Sequence, residues 1–343
     1  MGSGVPTVTE HQNQRAGCSA PQLHDRYCAY GPEDRRSAVL ARRHSRCFAP
    51  RGWLVAPPQG RSPGRPLAGC ARLHTGRAGL DLHDGAGTLT KSTISIVTAV
   101  FDGGHRYLPD AFRSIASQTL PSGWTWEWIV QEDGRSGRPA SMLPADHRVR
   151  YATGPRGGAG VARTLALARA TGDIVRALDA DDLLTDGALA RDIRTLTSQP
   201  EAGWCVSACL DLLPDGSLLS GPYDPPAGPL DGAWLREQYE ADRFPVVGTH
   251  LAARTDLVRA LGGWPALPAL EALALALACS AVASGHMIAE PGGLYRKHVG
   301  QTTAQPGYAH EAEFTLMRRS ILSRLDALTE SGWRYSPMES LLL

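Results

Sequence analysis

A chain of 343 residues with 43% hydrophobic, 20% charged and 6% aromatic residues carries enough apolar surface for a core, which excludes a wholly disordered or coiled-coil protein. Its net charge of +1 hides two unlike parts: residues 1–91 hold 13 Lys/Arg against 6 Asp/Glu, whereas residues 92–343 hold 22 against 28. Seven cysteines at irregular spacing, none in a CxxC pair, exclude a disulfide scaffold and a zinc module.

Residues 1–91 show neither helical nor strand period and mix Arg, Pro, Gly and His, a composition too poor in apolar runs to offset chain entropy. The reading is a disordered basic tail; sequence lying upstream of a translation start near Leu89 has the same composition. The arginines are scattered without interleaved aromatics, so no nucleic-acid partner is expected. Met1–Glu10 lacks a basic start followed by an apolar run, so no signal peptide is expected. The remainder divides into a folded domain over 92–310 and an amphipathic helix with a tail over 311–343.

From Thr93 to Val100 a β-branched run predicts a buried strand. A helix follows over Tyr107–Gln118, with Leu108, Phe112 and Ile115 at helical spacing, then a strand over Trp126–Gln131 stopped by Glu132-Asp133-Gly134. Gly158–Ala170 reads as a helix with Val161, Leu165 and Ala168 on one face, and Asp173–Leu178 as the next strand. Thr185 or Asp186 is placed to cap the following helix. Strand–helix alternation with short connections implies an α/β fold with a mostly parallel central sheet and flanking helices.

Beyond Gly203 the pattern loosens. Cys205 and Cys209 flank an expected strand, a hairpin turns at Pro214-Asp215-Gly216, and helices are expected near 231–240, 255–261 and 269–283. The uncharged stretch Ala272–Ala289 approaches a membrane span in length, but Ala, Ser, Gly and His286 dilute it; it reads as a buried helix, without a transmembrane segment. Phe314, Met317, Ile321, Leu325 and Leu328 trace the closing helix.

Asp179-Ala180-Asp181-Asp182 stands at the end of an apolar strand, where open α/β sheets bind ligands. Three carboxylates in four residues repel one another unless a cation lies between them, and Mg²⁺ or Mn²⁺ binds through one or two carboxylates plus phosphate oxygens. A solvated loop is the alternative for these four residues taken alone. Glu132-Asp133-Gly134 is either a carboxylate for a base or ribose or an ordinary turn. Pro155–Arg163 is a glycine-rich loop entering a helix, suited to an anion but matching neither GxGxxG nor a P-loop.

The order of these segments, with Val100-Phe101-Asp102, Gly160-Val161-Ala162-Arg163, Leu261-Gly262-Gly263-Trp264, Glu271 and Tyr295-Arg296-Lys297-His298, resembles the family 2 glycosyltransferases of the GT-A fold, over roughly residues 92–303. The resemblance implies a Rossmann-like nucleotide-diphospho-sugar transferase and an inverting, metal-dependent glycosyl transfer. It implies a nucleotide-sugar pocket lined by Ala99, Val100, Phe101, Asp102, Asp133, Arg163, Asp179 and Ala180, with Asp133 at the base and Asp179 by the ribose. It places Asp181 on a Mn²⁺ or Mg²⁺ ion, with His298 as a further metal or phosphate contact, and Glu271 as the general base. A UDP-sugar donor and a hydroxyl acceptor (glycan, lipid carrier or secondary metabolite) are the implied partners, in a cytoplasmic protein, at most peripheral to a membrane. An inactive nucleotide-sugar-binding protein of the same fold is the alternative.

One departure stands out. The family's acidic pair at the start of a late helix reads Glu271-Ala272 here, so the second acid is missing. Asp224 and Asp242 are the other carboxylates for its role, and Trp264 is either a stacking surface for the acceptor or a core plug.

Overall fold

A computed structural model describes residues 91–221, 224–243, 245–305 and 311–337. The tail predicted over 1–91 lies outside the described residues except for Lys91, and 338–343 lie outside them too. The first half alternates as expected: β1 (Ser92–Val100), α1 (Leu108–Ala116), β2 (Trp124–Glu132), β3 (Val149–Ala152), α2 (Ala159–Leu167), β4 (Ile174–Ala177), β5 (Leu183–Leu184) and α3 (Ala188–Ser198). The second half runs β6 (Ala202–Leu212), β7 (Leu218–Ser220), β8 (Gly228–Leu230), α4 (Gly232–Glu240), β9 (Leu251–Arg254), α5 (Thr255–Ala260), α6 (Glu271–Val282), β10 (Ser284–Arg296) and α7 (Glu311–Glu330).

All ten strands join one sheet in the order β3-β2-β1-β4-β9-β6-β10-β5, with β7 on β6 and β8 on β10. Most of the paired length is parallel, through β3, β2, β1 and β4 and again between β6 and β10. The short β9 is antiparallel to both β4 and β6 and joins the two parallel blocks. Alternation along β1 explains the layering. Ile94 and Ile96 bury against α1 and α3 on one face, and Val97 buries against α2 and the helical layer of α6 and α7 on the other.

Several local expectations give way to tertiary packing. The buried face of α2 is Gly160, Ala162, Arg163, Ala166 and Leu167, while Leu165 and Ala168 are exposed, because small residues let the helix approach the sheet closely. Neither Thr185 nor Asp186 caps α3; Gly187, at φ 72, precedes it without a side-chain cap. Ala272–Ala289 is not one helix: α6 ends at Val282 and β10 starts at Ser284, pairing along β6. Cys205 and Cys209 lie inside β6 and are buried thiols rather than flanking residues. The hairpin at Pro214–Gly216 forms as expected between β6 and β7. The closing helix buries Met317, Ile321 and Leu325, as its period requires.

Candidate active site

The carboxyl ends of β1, β2 and β4 open onto a cavity of about 840 Å³. Ala99, Val100, Phe101, Asp133, Arg163, Asp179, Ala180, Asp181, Glu271 and His298 all line it. Asp102 is the exception among the expected residues: it is not part of this lining, and its carboxylate accepts from Arg138 Nη1 at 2.9 Å. The fold thus gathers residues from a 200-residue span because strand ends, a glycine loop and a helix start converge there.

Asp133 continues β2, and its Oδ1 accepts from the backbone N–H groups of Gly157 (2.6 Å) and Gly158 (3.1 Å). That pair of bonds ties the glycine loop to the sheet end. Gly158 takes φ 86, a left-handed value that suits glycine, and starts α2. Phe101 presents a ring 43% exposed to the cavity mouth, unusual for a large aromatic.

Arg163 is the hub of the floor. Only 3% exposed, it pairs with Asp179 through Nη2 and donates from Nη1 to Glu271 Oε1 at 2.6 Å. Burial opposes its charge, but the two carboxylates outweigh this and raise its pKa. Burial likewise raises the Asp179 carboxyl, against the pull of Arg163. Close approach of α2 to the start of α6 makes this triad possible, since a Cβ at Gly160 would drive into the Pro265 carbonyl and reach within 3.1 Å of Glu271 Cβ. Leu270, just before Glu271, holds the strained value φ 64 and turns the chain into α6.

Asp181 and His298 form the second cluster. His298 Nε2 lies 2.9 Å from Asp181 Oδ2, and both are partly exposed at the cavity wall. Among the described residues no group of three or more His, Cys, Asp or Glu side chains forms a metal cage. Asp182 departs from both earlier readings: it is fully buried and accepts from the Arg296 N–H at 3.0 Å, fastening the end of β10 that leads to His298. Burial, then Asp181 and Asp179, push its carboxyl well above the usual range.

Other expectations fall outside the cavity. Trp264 is 3% exposed and packs in the core, so it is not an acceptor platform; Thr164 Oγ1 donates to its carbonyl at 2.9 Å. Asp224 and Asp242 do not line the cavity either; Asp224 Oδ2 accepts from the Cys209 N–H, and Asp242 pairs with Arg318. The sequence reading missed Val246–Thr249, which carries no motif, and Arg156 and Lys297, which stood inside quoted segments without a role.

A mostly parallel sheet whose strand ends carry an acidic triplet and a glycine loop beside a large cleft defines an α/β protein with its candidate site at the sheet's carboxyl edge. The comparisons sharpen this. Residues 95–208 match the family described as glycosyl transferase family 2. It is similar to the O-antigen biosynthesis protein RfbC of Myxococcus xanthus, 28% identical over 156 residues, which is 44% of this chain and 12% of that protein. Its fold is that of GT-A glycosyltransferases. The S. aureus TarS 1–349 structure in complex with UDP-GlcNAc aligns over 69% of this chain and 70% of its own, at 15% identity and TM-score 0.53. The complex of the same TarS fragment with UDP aligns over 69% and 65%, at 13% identity and TM-score 0.50.

Proposed function

We propose that the segment 92–310 transfers a sugar from a nucleotide-sugar donor to an acceptor hydroxyl with inversion at the anomeric carbon. The observation that carries this is the convergence of Asp133, Arg163, Asp179, Asp181, Glu271 and His298 on one cavity at the sheet's carboxyl edge. The TarS structures contain UDP-GlcNAc and UDP, which favours a UDP-sugar as donor.

In this reading the backbone of Ala99–Phe101 and the Asp133 carboxylate hold the base, with the exposed Phe101 ring as a surface for it. Asp179, fixed by Arg163, receives the ribose hydroxyls. Asp181 and His298 offer one oxygen and one nitrogen to a divalent cation and leave its other positions to ligand oxygens, a donor set that suits Mn²⁺ and accepts Mg²⁺. Such an ion, when bound, neutralises charge on the diphosphate leaving group. Glu271, on the far side of Arg163, takes the acceptor's proton as its oxygen attacks from the face opposite the leaving group.

A second reading, a protein that binds the nucleotide-sugar without transferring it, is favoured by one observation: the missing acid at Ala272 leaves Glu271 alone, already ion-paired. One set of measurements separates the two. Wild-type protein is screened by thermal shift with UDP, GDP and dTDP, with and without Mn²⁺, and assayed for transfer from UDP-glucose and UDP-N-acetylglucosamine. A metal-dependent shift for UDP that Asp181→Asn loses, together with turnover that Glu271→Gln lowers at least ~10²-fold, is the expected result. Binding without any turnover selects the second reading, and full activity in Asp181→Asn removes the metal assignment.

A further inference from the structure

The carboxylates that face the cavity are few and already engaged. Among the described residues they are Asp133, Asp179, Asp181 and Glu271. Asp133 is held by two backbone N–H groups, Asp179 by Arg163, Asp181 by His298, and Glu271 by Arg163 at 2.6 Å. At the next position the cavity lining has Ala272 rather than a second acid. The capacity to accept a proton at the reaction face is therefore the remaining oxygen of one ion-paired carboxylate.

Apart from its partner Arg163, the lining residues next to Glu271 in the chain, Pro268, Leu270, Ala272 and Leu273, are apolar, and Val246 and Val247 join them in the cavity lining. The Val246–Thr249 segment is seated there by close packing of Gly248 on the Ala272 backbone, where any Cβ would collide. This half lies beyond residue 208, where the match to the glycosyltransferase family stops. A sugar acceptor needs hydrogen-bonding partners for several hydroxyls, whereas this wall supplies hydrocarbon surface suited to a ring.

We infer that the acceptor is a phenol, an apolar aromatic ring whose hydroxyl is acidic enough to be deprotonated by Glu271 without a second carboxylate. The inference rests on the transfer reading above and names the acceptor class for that same site. The acidity difference is large, since a phenol ionises near ~10 and an aliphatic hydroxyl nearer the ~15.7 of water. In the step, the phenolic O–H proton passes to Glu271 and the oxygen forms its bond to the anomeric carbon. The carbon–oxygen bond to the diphosphate breaks, and its electron pair leaves with the nucleoside diphosphate. Glu271 then releases the proton to water.

The test uses the full chain, Mn²⁺ and a UDP-sugar with two acceptors of similar shape, phenol and benzyl alcohol, and follows UDP binding in parallel. The expected result is a kcat/KM for phenol at least ~10²-fold above benzyl alcohol, as the difference in acidity between the two hydroxyls requires. In addition, 4-nitrophenol should show a smaller loss than phenol on Glu271→Gln. Introducing an acid with Ala272→Asp should narrow the phenol-to-alcohol ratio at least ~10-fold. Benzyl alcohol or a free sugar used as well as phenol overturns the inference while leaving the transfer reading intact. UDP bound with Mn²⁺ but no phenol glycosylated overturns it also, whereas no UDP binding at all removes the transfer reading and the inference with it.

Discussion

Removing Arg163 tests the reading of the cavity floor most directly. In Arg163→Met a side chain of similar reach loses every donor, and Asp179 and Glu271 are left facing each other across apolar surface. Breaking a buried pair by deleting one partner costs about 3–5 kcal/mol. Here Asp179 and Glu271 keep side-chain exposures of 24% and 13%, so water softens the penalty and the lower figure, about 3 kcal/mol, applies. For a domain of this size that is a fall in Tm of about 6–12 °C. Burial already raises the Asp179 carboxyl, and losing Arg163 raises it further. A carboxyl raised in the folded state loses stability as pH rises, so the variant should suffer less at pH 5 than at pH 8. Urea denaturation at both pH values reads this, with Arg163→Met/Asp179→Asn/Glu271→Gln as the control that recovers most of the loss. A cost below ~1 kcal/mol, or one independent of pH, would refute the claim that these three groups form one electrostatic unit.

Two further outcomes follow from single positions. Burial lifts Asp224 from 3.8 to about 6, so the folded chain retains a proton that the unfolded chain has released, and stability falls as pH rises through that window. Asp224→Asn should therefore gain stability relative to wild type from pH 4 to pH 8, by up to about 3 kcal/mol in urea titrations; a pH-independent difference would refute the raised carboxyl. Gly160→Ala forces the Pro265 carbonyl and Glu271 to move, and should lower kcat by ~10-fold or more while the UDP–Mn²⁺ thermal shift persists. Unchanged kcat would show that Glu271's placement is not critical.

The part of the cavity at the ends of β1, β2 and β4 was legible in the sequence because its elements are dense in signal. Thr93–Val100 and Trp126–Gln131 are runs of β-branched and aromatic residues, and the acidic and glycine residues stand where those strands end. The part built from residues beyond 208 was not. Leu251-Ala252-Ala253-Arg254 is too short and alanine-rich to declare a strand, yet it pairs on both edges as β9. β10 conceals its period through register shifts around Pro291. Trp264 looks like an exposed platform after two glycines, but both take positive φ (80 and 81) and turn it into the core. The role of Asp182 was illegible for a different reason. Its partner, the Arg296 N–H, is 114 residues away, so a run of three acids hides one member that supports the fold.

These two halves differ in what fixes them, and that decides whether the Ala272→Asp experiment is sound. Asp133 and Asp179 hang on strand ends whose positions the sheet's hydrogen bonds dictate. The residues around Glu271 hang on turns: Leu270 at φ 64 and the Val246–Thr249 segment seated on the Ala272 backbone. Gly248 approaches the backbone of Ala272 and Leu273, a contact that the side chain at 272 does not itself supply. Position 272 is in the first turn of α6, where an added carboxylate is favoured by the helix dipole by about 0.3–1 kcal/mol. An Asp at that position stands on the cavity lining, where Ala272 is 8% exposed, and has a favourable field behind it. A shift in acceptor preference can then be read as chemistry and not as damage to the fold, provided the variant's Tm stays within a few degrees of wild type.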